Sequence, residues 1–159
     1  MKKICTICLL ALFIIACGGN SNDNPATNTS DPAATSEGDK KTSDYDPNRG
    51  EGKFSDVKLD EKLDAAMAAR GEKIADLKCT SCHKLTDEKL VGPGWSGVTG
   101  RHKAEWIMNF MTNTDAMIDK DPKVQAMLEI CMVRMPNQSL SDGDARDILE
   151  FLRKNDGVK

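Results

Sequence analysis

The chain has 159 residues, a formal net charge of −3, and 39% hydrophobic but only 4% aromatic residues. Just over a hundred residues follow position 52, which suits one domain of ordinary size. That part carries 17 basic and 18 acidic residues, a nearly neutral balance that argues against a nucleic-acid partner. With so few aromatic residues, its helices alone would build a thin core.

Residues 1–16 resemble a bacterial lipoprotein signal peptide. Met1-Lys2-Lys3 is basic, and the apolar run that follows is shorter than the roughly 20 residues of a membrane-spanning helix. The run ends in Ile14-Ile15-Ala16-Cys17-Gly18-Gly19, which is similar to the lipobox, where cleavage precedes a lipidated cysteine. We therefore expect a lipid anchor on Cys17 and a location in the bacterial cell envelope, on the periplasmic side of a membrane. An ordinary signal peptide or an uncleaved anchor is the alternative.

Residues 17–52 are predicted to form a disordered linker. They are rich in Asn, Ser, Thr, Asp, Gly and Pro, contain almost no large apolar residue, and carry three basic and seven acidic residues. Such a segment cannot bury enough surface to offset the entropy of ordering it. A flexible chain of this length has an r.m.s. span of roughly 30 Å, so it would tether a folded domain of residues 53–159 above the membrane.

The folded domain is predicted to be all-α, because no stretch shows sustained strand alternation. Asp60 is the expected cap of a first helix that runs into Cys79, with apolar positions at Leu63, Ala66, Met67, Ile74 and Leu77. A second helix is predicted over residues 103–112, and a third follows Asp121-Pro122. The last begins at Ser141, which forms a capping-box pattern with Asp144.

The five residues Cys79-Thr80-Ser81-Cys82-His83 carry the clearest chemical signal. C-x-x-C-H is typical of covalent c-type haem attachment, with both thiols on the haem and the histidine on its iron. A haem held in this way is chiefly suited to moving single electrons. The alternatives are a redox disulfide, which usually sits near a βαβ pattern that is absent here, and a zinc site, which needs a second ligand pair. Cys131 and His102 are too far apart in sequence to supply that pair.

The domain resembles a class I cytochrome c over roughly residues 60–155. The matching pieces occur in the family order: Gly71, Cys79 to His83, Val91-Gly92-Pro93-Gly94-Trp95-Ser96-Gly97-Val98, Arg101, Trp106, Met135-Pro136, Leu140-Ser141-Asp142 and Ile148-Leu149-Glu150-Phe151-Leu152. The resemblance implies about four helices around one covalent haem c. It also implies that the first and last helices cross with Gly71 against Phe151.

The second iron ligand is expected to be Met135. Six methionines follow the motif, and Met135 stands apart because Pro136 biases it toward an extended backbone in a loop. The family resemblance likewise implies an axial methionine in a Met-Pro segment just before the last helix. Met132 and His102 are the alternatives.

The resemblance assigns further roles around the haem. It implies that the Pro93 carbonyl accepts the ring proton of His83 and that Trp95, Arg101 and Trp106 bond the haem propionates, with plain packing as the alternative for the tryptophans. Cys5 and Cys8 would leave with the signal peptide. Cys131 is left over, and we expect it to be a small apolar core residue.

The implied function is electron transfer and not enzymatic catalysis, although the domain could serve as the electron-transfer subunit of an oxidoreductase complex. The expected partners are redox proteins such as a respiratory complex or a terminal oxidase or reductase, together with the membrane surface. The alternative is a haem-based gas or redox sensor whose methionine ligand is displaceable.

Overall fold

The computed structural model describes residues 45–159; Cys17, the predicted signal peptide and most of the predicted linker lie outside this range. Within it the chain is helical, with no strand, which confirms the predicted all-α class. Six helices follow one another: α1 (Ala65–Lys78), α2 (Val98–Arg101), α3 (Ala104–Thr112), α4 (Thr114–Lys120), α5 (Pro122–Cys131) and α6 (Asp142–Asn155). The two beyond the expected four, α2 and α4, are only 4 and 7 residues long, too short to show an apolar period.

The start of α1 and its buried face differ from the prediction. The N-cap is Asp64, whose side chain accepts a hydrogen bond from the Met67 amide, and not Asp60. The buried face consists of the small residues Ala68, Gly71 and Ala75, whereas Leu77 is 86% exposed. The apolar pattern was misleading because α1 packs through small residues that allow another backbone to come close.

That other backbone belongs to α6. A Cβ atom added at Gly71 would lie 2.0 Å from the Asp147 carbonyl oxygen and 2.8 Å from the Ile148 nitrogen. The two helices therefore cross at Gly71, as expected, but against the backbone of residues 147–148. Phe151 packs instead with Ala75 and Cys79, about one turn further along α1.

Hydrogen bonds of charged side chains stabilise the crossing of α1 and α6. The Arg70 guanidinium donates two hydrogen bonds to the Asp147 carboxylate, at 2.7 and 2.8 Å. Glu150 is completely buried and accepts from Arg146 at 2.6 Å and from Arg153 at 2.7 Å. The amide of Asp64, the α1 cap, also donates to this carboxylate at 2.9 Å. Glu150 thereby joins the beginning of α1 to the second half of α6.

Residues before position 53 also pack on the helices. Residues 45–54, which we call the strap, pack on the helices, and the buried side chain of Asn109 in α3 holds them. Its Nδ2 donates to the carbonyls of Arg49 and Phe54, at 3.0 and 2.9 Å, and its Oδ1 accepts from the Phe54 amide at 2.9 Å. The predicted linker boundary at residue 52 therefore falls inside a packed segment. The composition of this segment does not indicate the packing, because backbone groups and not apolar side chains make these hydrogen bonds.

The remaining helix starts agree with the sequence patterns. Asp121 caps α5 by accepting from the amides of Lys123 and Val124, with Pro122 in the first turn. Ser141 and Asp144 form the predicted capping box of α6. Among residues 45–159, no helix combines the length and apolar character needed to cross a membrane.

Candidate haem site

The C-x-x-C-H motif forms a tight turn at the end of α1. The amides of Cys82 and His83 both bond the Cys79 carbonyl, at 2.9 and 3.0 Å. Cys79 is buried beside Phe151 and Trp95, and burial raises the pKa of its thiol to about 11. Within the described residues, Cys79, Cys82 and Cys131 form no disulfide bond. The same part of the chain has no cluster of three or more His, Cys, Asp or Glu side chains arranged for a metal ion.

A hydrogen bond orients the imidazole of His83. Its Nδ1 lies 2.8 Å from the Pro93 carbonyl oxygen, and because a carbonyl can only accept, Nδ1 carries the proton. The other ring nitrogen, Nε2, then has a free lone pair. Burial lowers the pKa of His83, although the Pro93 bond opposes this, so the neutral, ligating form is favoured near neutral pH.

Two neighbouring residues fit closely around this ring. A Cβ atom at Gly92 would lie 2.4 Å from His83 Cε1, so only glycine leaves the imidazole its place. The Trp95 ring stacks on His83, with centroids 5.1 Å apart and planes inclined by 19°. The loop of residues 92–95 therefore provides the hydrogen-bond acceptor for His83, the space for its imidazole, and an aromatic ring that stacks on it.

Two adjoining clefts open in front of His83. The first includes Cys82, Val91, Val133 and Pro136 in its lining. The second extends toward α2 and α3. The two clefts share five residues: His83, Pro93, Phe110, Met127 and Met135.

Of the three candidates for the second ligand, the structure brings Met135 and His102 to the clefts. Met135 lines both clefts, and His102 lines the second. Met132 ends α5 with a left-handed backbone and is 85% exposed, away from both clefts. Met127 also lines both, and sequence reasoning treated it as an ordinary core residue of α5. Nothing in the sequence sets it apart, because its role depends on how α5 packs.

The residues proposed for the haem propionates occupy different environments. The indole N–H of Trp106 donates to the buried Asp121 carboxylate at 2.7 Å, so it is already used and the propionate role implied for Trp106 is not supported. Arg101 bonds the backbone carbonyls of Ser96 and Gly94 and also lines the second cleft. Trp95 lies in the same lining beside His83.

His102, an alternative for the second iron ligand, directly follows α2. In the structure its ring is half-buried and stacks on Trp106, with centroids 3.8 Å apart and planes inclined by 13°. Cys131 is likewise only half-buried and lines the first cleft at the end of α5. The sequence showed no signal for either position.

The residues present fit a covalent haem. Cys82 lines the first cleft, His83 and Met135 line both, and most of the lining is apolar. Cys79 lies outside both linings, in the same turn as Cys82 and His83. Gly92 and the Pro93 carbonyl set the imidazole in place. These residues would hold a haem through thioether links to the two cysteines and would offer its iron a nitrogen and a sulfur ligand.

Comparisons with known proteins agree with this geometry. The family model described as Cytochrome c matches residues 68–156. The solved structure of cytochrome c from Rhodothermus marinus is 38% identical, with a TM-score of 0.64, and the match covers 66% of this chain and 90% of that one. An engineered cytochrome c from Rhodothermus marinus, Rma TDE, is 37% identical over the same shares of both chains, with a TM-score of 0.63. No curated protein matches the chain significantly.

Proposed function

The chain belongs to the cytochrome c family, whose members bind covalent haem c and carry electrons, and we propose which of its residues hold the haem and ligate the iron. Cys79 and Cys82 hold one haem, and His83 and Met135 ligate its iron. The domain transfers single electrons between respiratory partners while a lipid on Cys17 tethers it to a membrane.

One observation carries the ligand assignment: His83 and Met135 line the same two clefts. His83 offers Nε2 because Nδ1 is committed to the Pro93 carbonyl. Met135 reaches the clefts from the irregular segment between α5 and α6, where Pro136 prevents a regular helix. A loop position lets the thioether approach without moving a whole helix.

The protein residues then decide how the group behaves. Haem supplies the Fe(III)/Fe(II) couple. The hydrogen bond from His83 to Pro93 fixes the imidazole and increases its basicity. A thioether ligand favours the ferrous state and raises the reduction potential. If His83 and Met135 both ligate the iron, they would leave no ligand position for a substrate, and the protein would pass electrons without binding one.

The ligand assignment is tested with paired variants. Met135→Ala should lose the Met–iron charge-transfer band of the ferric visible spectrum. Met127→Ala, which removes the other thioether that lines both clefts, should keep it. The opposite result would transfer the assignment to Met127, and a band in both variants would exclude both residues.

Carbon monoxide distinguishes a carrier from a sensor. If Met135 stays bound, the ferrous wild-type protein should bind carbon monoxide slowly, whereas Met135→Ala should bind it rapidly. Rapid binding by the wild-type protein would favour the sensor with a displaceable methionine.

The proposed tether uses the predicted signal peptide of residues 1–16 and the linker that begins at Cys17. The sequence pattern around Cys17 supports this tether. Cys17→Ser should release the haem protein from the membrane fraction. Cys5→Ser, inside the same predicted signal, should leave it bound. Equal membrane retention of both variants would contradict lipidation at Cys17.

Exposed apolar residues at the mouth of the first cleft support redox partners that dock there. Val91 and Val133 both line that cleft and are 38% and 52% exposed. Electron-transfer interfaces are small and weak, so one charge should disturb them. Val133→Asp should slow oxidation of the reduced protein by membranes prepared from the organism that produces it. Leu59→Asp, a similarly exposed position outside the cleft linings, should not; equal rates in both variants would place docking elsewhere.

A further inference from the structure

Side chains attach the segment that carries Met135 to the domain on both sides of this residue. The segment, residues 132–141, connects α5 to α6, and we call it the Met135 loop. Apart from the end of α5 and the cap of α6, its hydrogen bonds to helices are made, among the described residues, at positions 134 and 138. Arg134 bonds α4, and the Gln138 carbonyl accepts from Lys78 Nζ of α1 at 3.1 Å. Met135 therefore lies between two anchors.

The first anchor is a guanidinium nitrogen of Arg134 that lies between two carboxylates of α4. Its Nη2 is 3.2 Å from Asp115 Oδ1 and 3.1 Å from Asp119 Oδ1. The two aspartates are four residues apart and so lie on one face of the helix. Met117 and Ile118 of the same helix are buried in the core. Arg134 thus attaches the loop to a helix that the core holds in place.

The negative charges of α4 are unfavourable without Arg134. Like charges four residues apart in a helix repel each other. Asp119 also lies in the last turn, where the helix dipole disfavours a negative charge. Lys120, the basic residue of that turn, pairs with Glu51 of the strap at 3.1 Å. Among the described residues, the ion pairs of both aspartates are with Arg134, so closing the loop on α4 relieves their repulsion.

The position of this anchor connects it to the clefts. Arg134 lines the first cleft and directly precedes Met135, which lines both. Ile118 of α4 lines the first cleft as well. Because consecutive Cα atoms are about 3.8 Å apart, an arginine fixed on α4 limits how far the Met135 thioether can withdraw from the clefts.

We propose that Arg134 is a positioning residue for Met135. Its ion pairs with Asp115 and Asp119, which we call the clamp, hold the Met135 loop on α4 and so keep the thioether available to the iron. The inference rests on the proposed function, because it takes Met135 as the iron ligand. Exposed ion pairs are individually weak and sensitive to salt. The clamp therefore changes how often the loop opens, and not whether the domain folds.

The rate of carbon monoxide binding to the reduced, haem-loaded protein measures loop opening, because the gas binds the iron only where Met135 has left it. Arg134→Gln should raise this rate roughly three- to tenfold. Arg134→Lys keeps the charge and should restore part of the wild-type value. Lys154→Gln breaks a similarly exposed ion pair, with Glu72, between α1 and α6 and should leave the rate unchanged. Equal rates in wild type and Arg134→Gln would overturn the proposal.

The partner carboxylates distinguish the clamp from a direct effect of the arginine charge on the iron. Asp115→Asn combined with Asp119→Asn should raise the rate as Arg134→Gln does, because the guanidinium loses both partners. If the guanidinium acted through its own charge, the double variant would bind carbon monoxide at the wild-type rate. That result would overturn the clamp.

Ionic strength gives an independent measurement on the wild-type protein. Raising it from about 10 mM to about 1 M should bring the wild-type rate close to that of Arg134→Gln, because salt screens exposed ion pairs. The rate of the variant should hardly change. Carbon monoxide is uncharged, so salt does not alter its encounter with the protein electrostatically. A wild-type rate that is independent of salt would contradict the clamp.

These outcomes are separable from failure of the proposed function. A protein without a covalent haem spectrum would refute the function, and a Met135→Ala variant that keeps the Met–iron band would refute the ligand assignment; either result overturns the clamp as well. A wild-type protein that shows the band but binds carbon monoxide at the same rate as Arg134→Gln would refute only the clamp.

Discussion

Replacing Gly71 with alanine should destabilise the domain through the crossing of α1 and α6. The new methyl group would lie 2.0 Å from the Asp147 carbonyl oxygen, where ordinary contact begins near 3.4 Å, so the helices must separate by about 1.4 Å. The opposing atoms belong to the backbone of a helix and cannot rotate away. Separation would also loosen the packing of Phe151 against Cys79, one of the two proposed haem attachment residues.

The size of the effect follows from two opposing terms. Overpacking a well-packed core costs about 1–3 kcal/mol, and the rigid backbone contact places Gly71→Ala at the upper end. Alanine is a better helix former than glycine by about 1 kcal/mol. The net loss in the free energy of unfolding is therefore about 2 kcal/mol, which lowers the Tm of a domain of this size by roughly 10 °C.

The assay is thermal unfolding of the haem-loaded protein, followed by far-ultraviolet circular dichroism and by haem absorbance. Gly143→Ala is the matched control, since it lies in α6 and its nearest neighbour to an added Cβ is Ser141 Oγ at 3.8 Å. That variant should be neutral or slightly stabilised. If Gly71→Ala melts at or above the wild-type temperature, the close backbone contact between the two helices does not exist as described.

Two further predictions concern buried polar groups. Asn109→Ala removes three hydrogen bonds to the strap and should lower the free energy of unfolding, measured by urea denaturation, by about 2–3 kcal/mol. Asn48→Ala, on the exposed side of the strap, should lower it far less. Equal denaturation midpoints in the two variants would show that these bonds to the strap contribute no stability. Burial raises the pKa of Glu150, but bonds from Arg146, the Asp64 amide and Arg153 outweigh it and lower that pKa below its usual 4.5. The stability that comes from ionised Glu150 is fully present above pH 4.5 and is lost as the pH falls through the lowered pKa. The difference in Tm between wild type and Glu150→Gln should therefore become smaller from pH 6 to pH 3. A difference that stays constant over this range would contradict the prediction.

The helix starts that were predicted correctly depend on local chemistry. Asp121 with Pro122, and Ser141 with Asp144, satisfy the free amides of the first turn of their own helices. Such caps act over three or four residues, so the sequence contains all the information they need. Asp60 failed as a cap because the chain offers a second aspartate, Asp64, and long-range bonds decide between them: the Asp64 amide donates to Glu150 of α6.

The same distinction applies to the candidate site. Cys79, Cys82 and His83 can be recognised from their spacing, and Met135 from the proline that follows it. The sequence shows neither that Met127 lies in the same clefts nor that the Trp106 N–H serves Asp121. Those facts depend on where the fold places α5 and its cap residue, for which no short pattern exists.

By itself, the sequence determined the helical class, the capped helix starts and the cytochrome c motif, because each depends on neighbouring residues or on a fixed spacing. Only the tertiary structure decided that α1 packs through glycine and alanine, that the strap packs on the helices, and that the Trp106 N–H donates to Asp121. These features join residues tens of positions apart. Their energies come from close contact and burial, which exist only once the chain has folded.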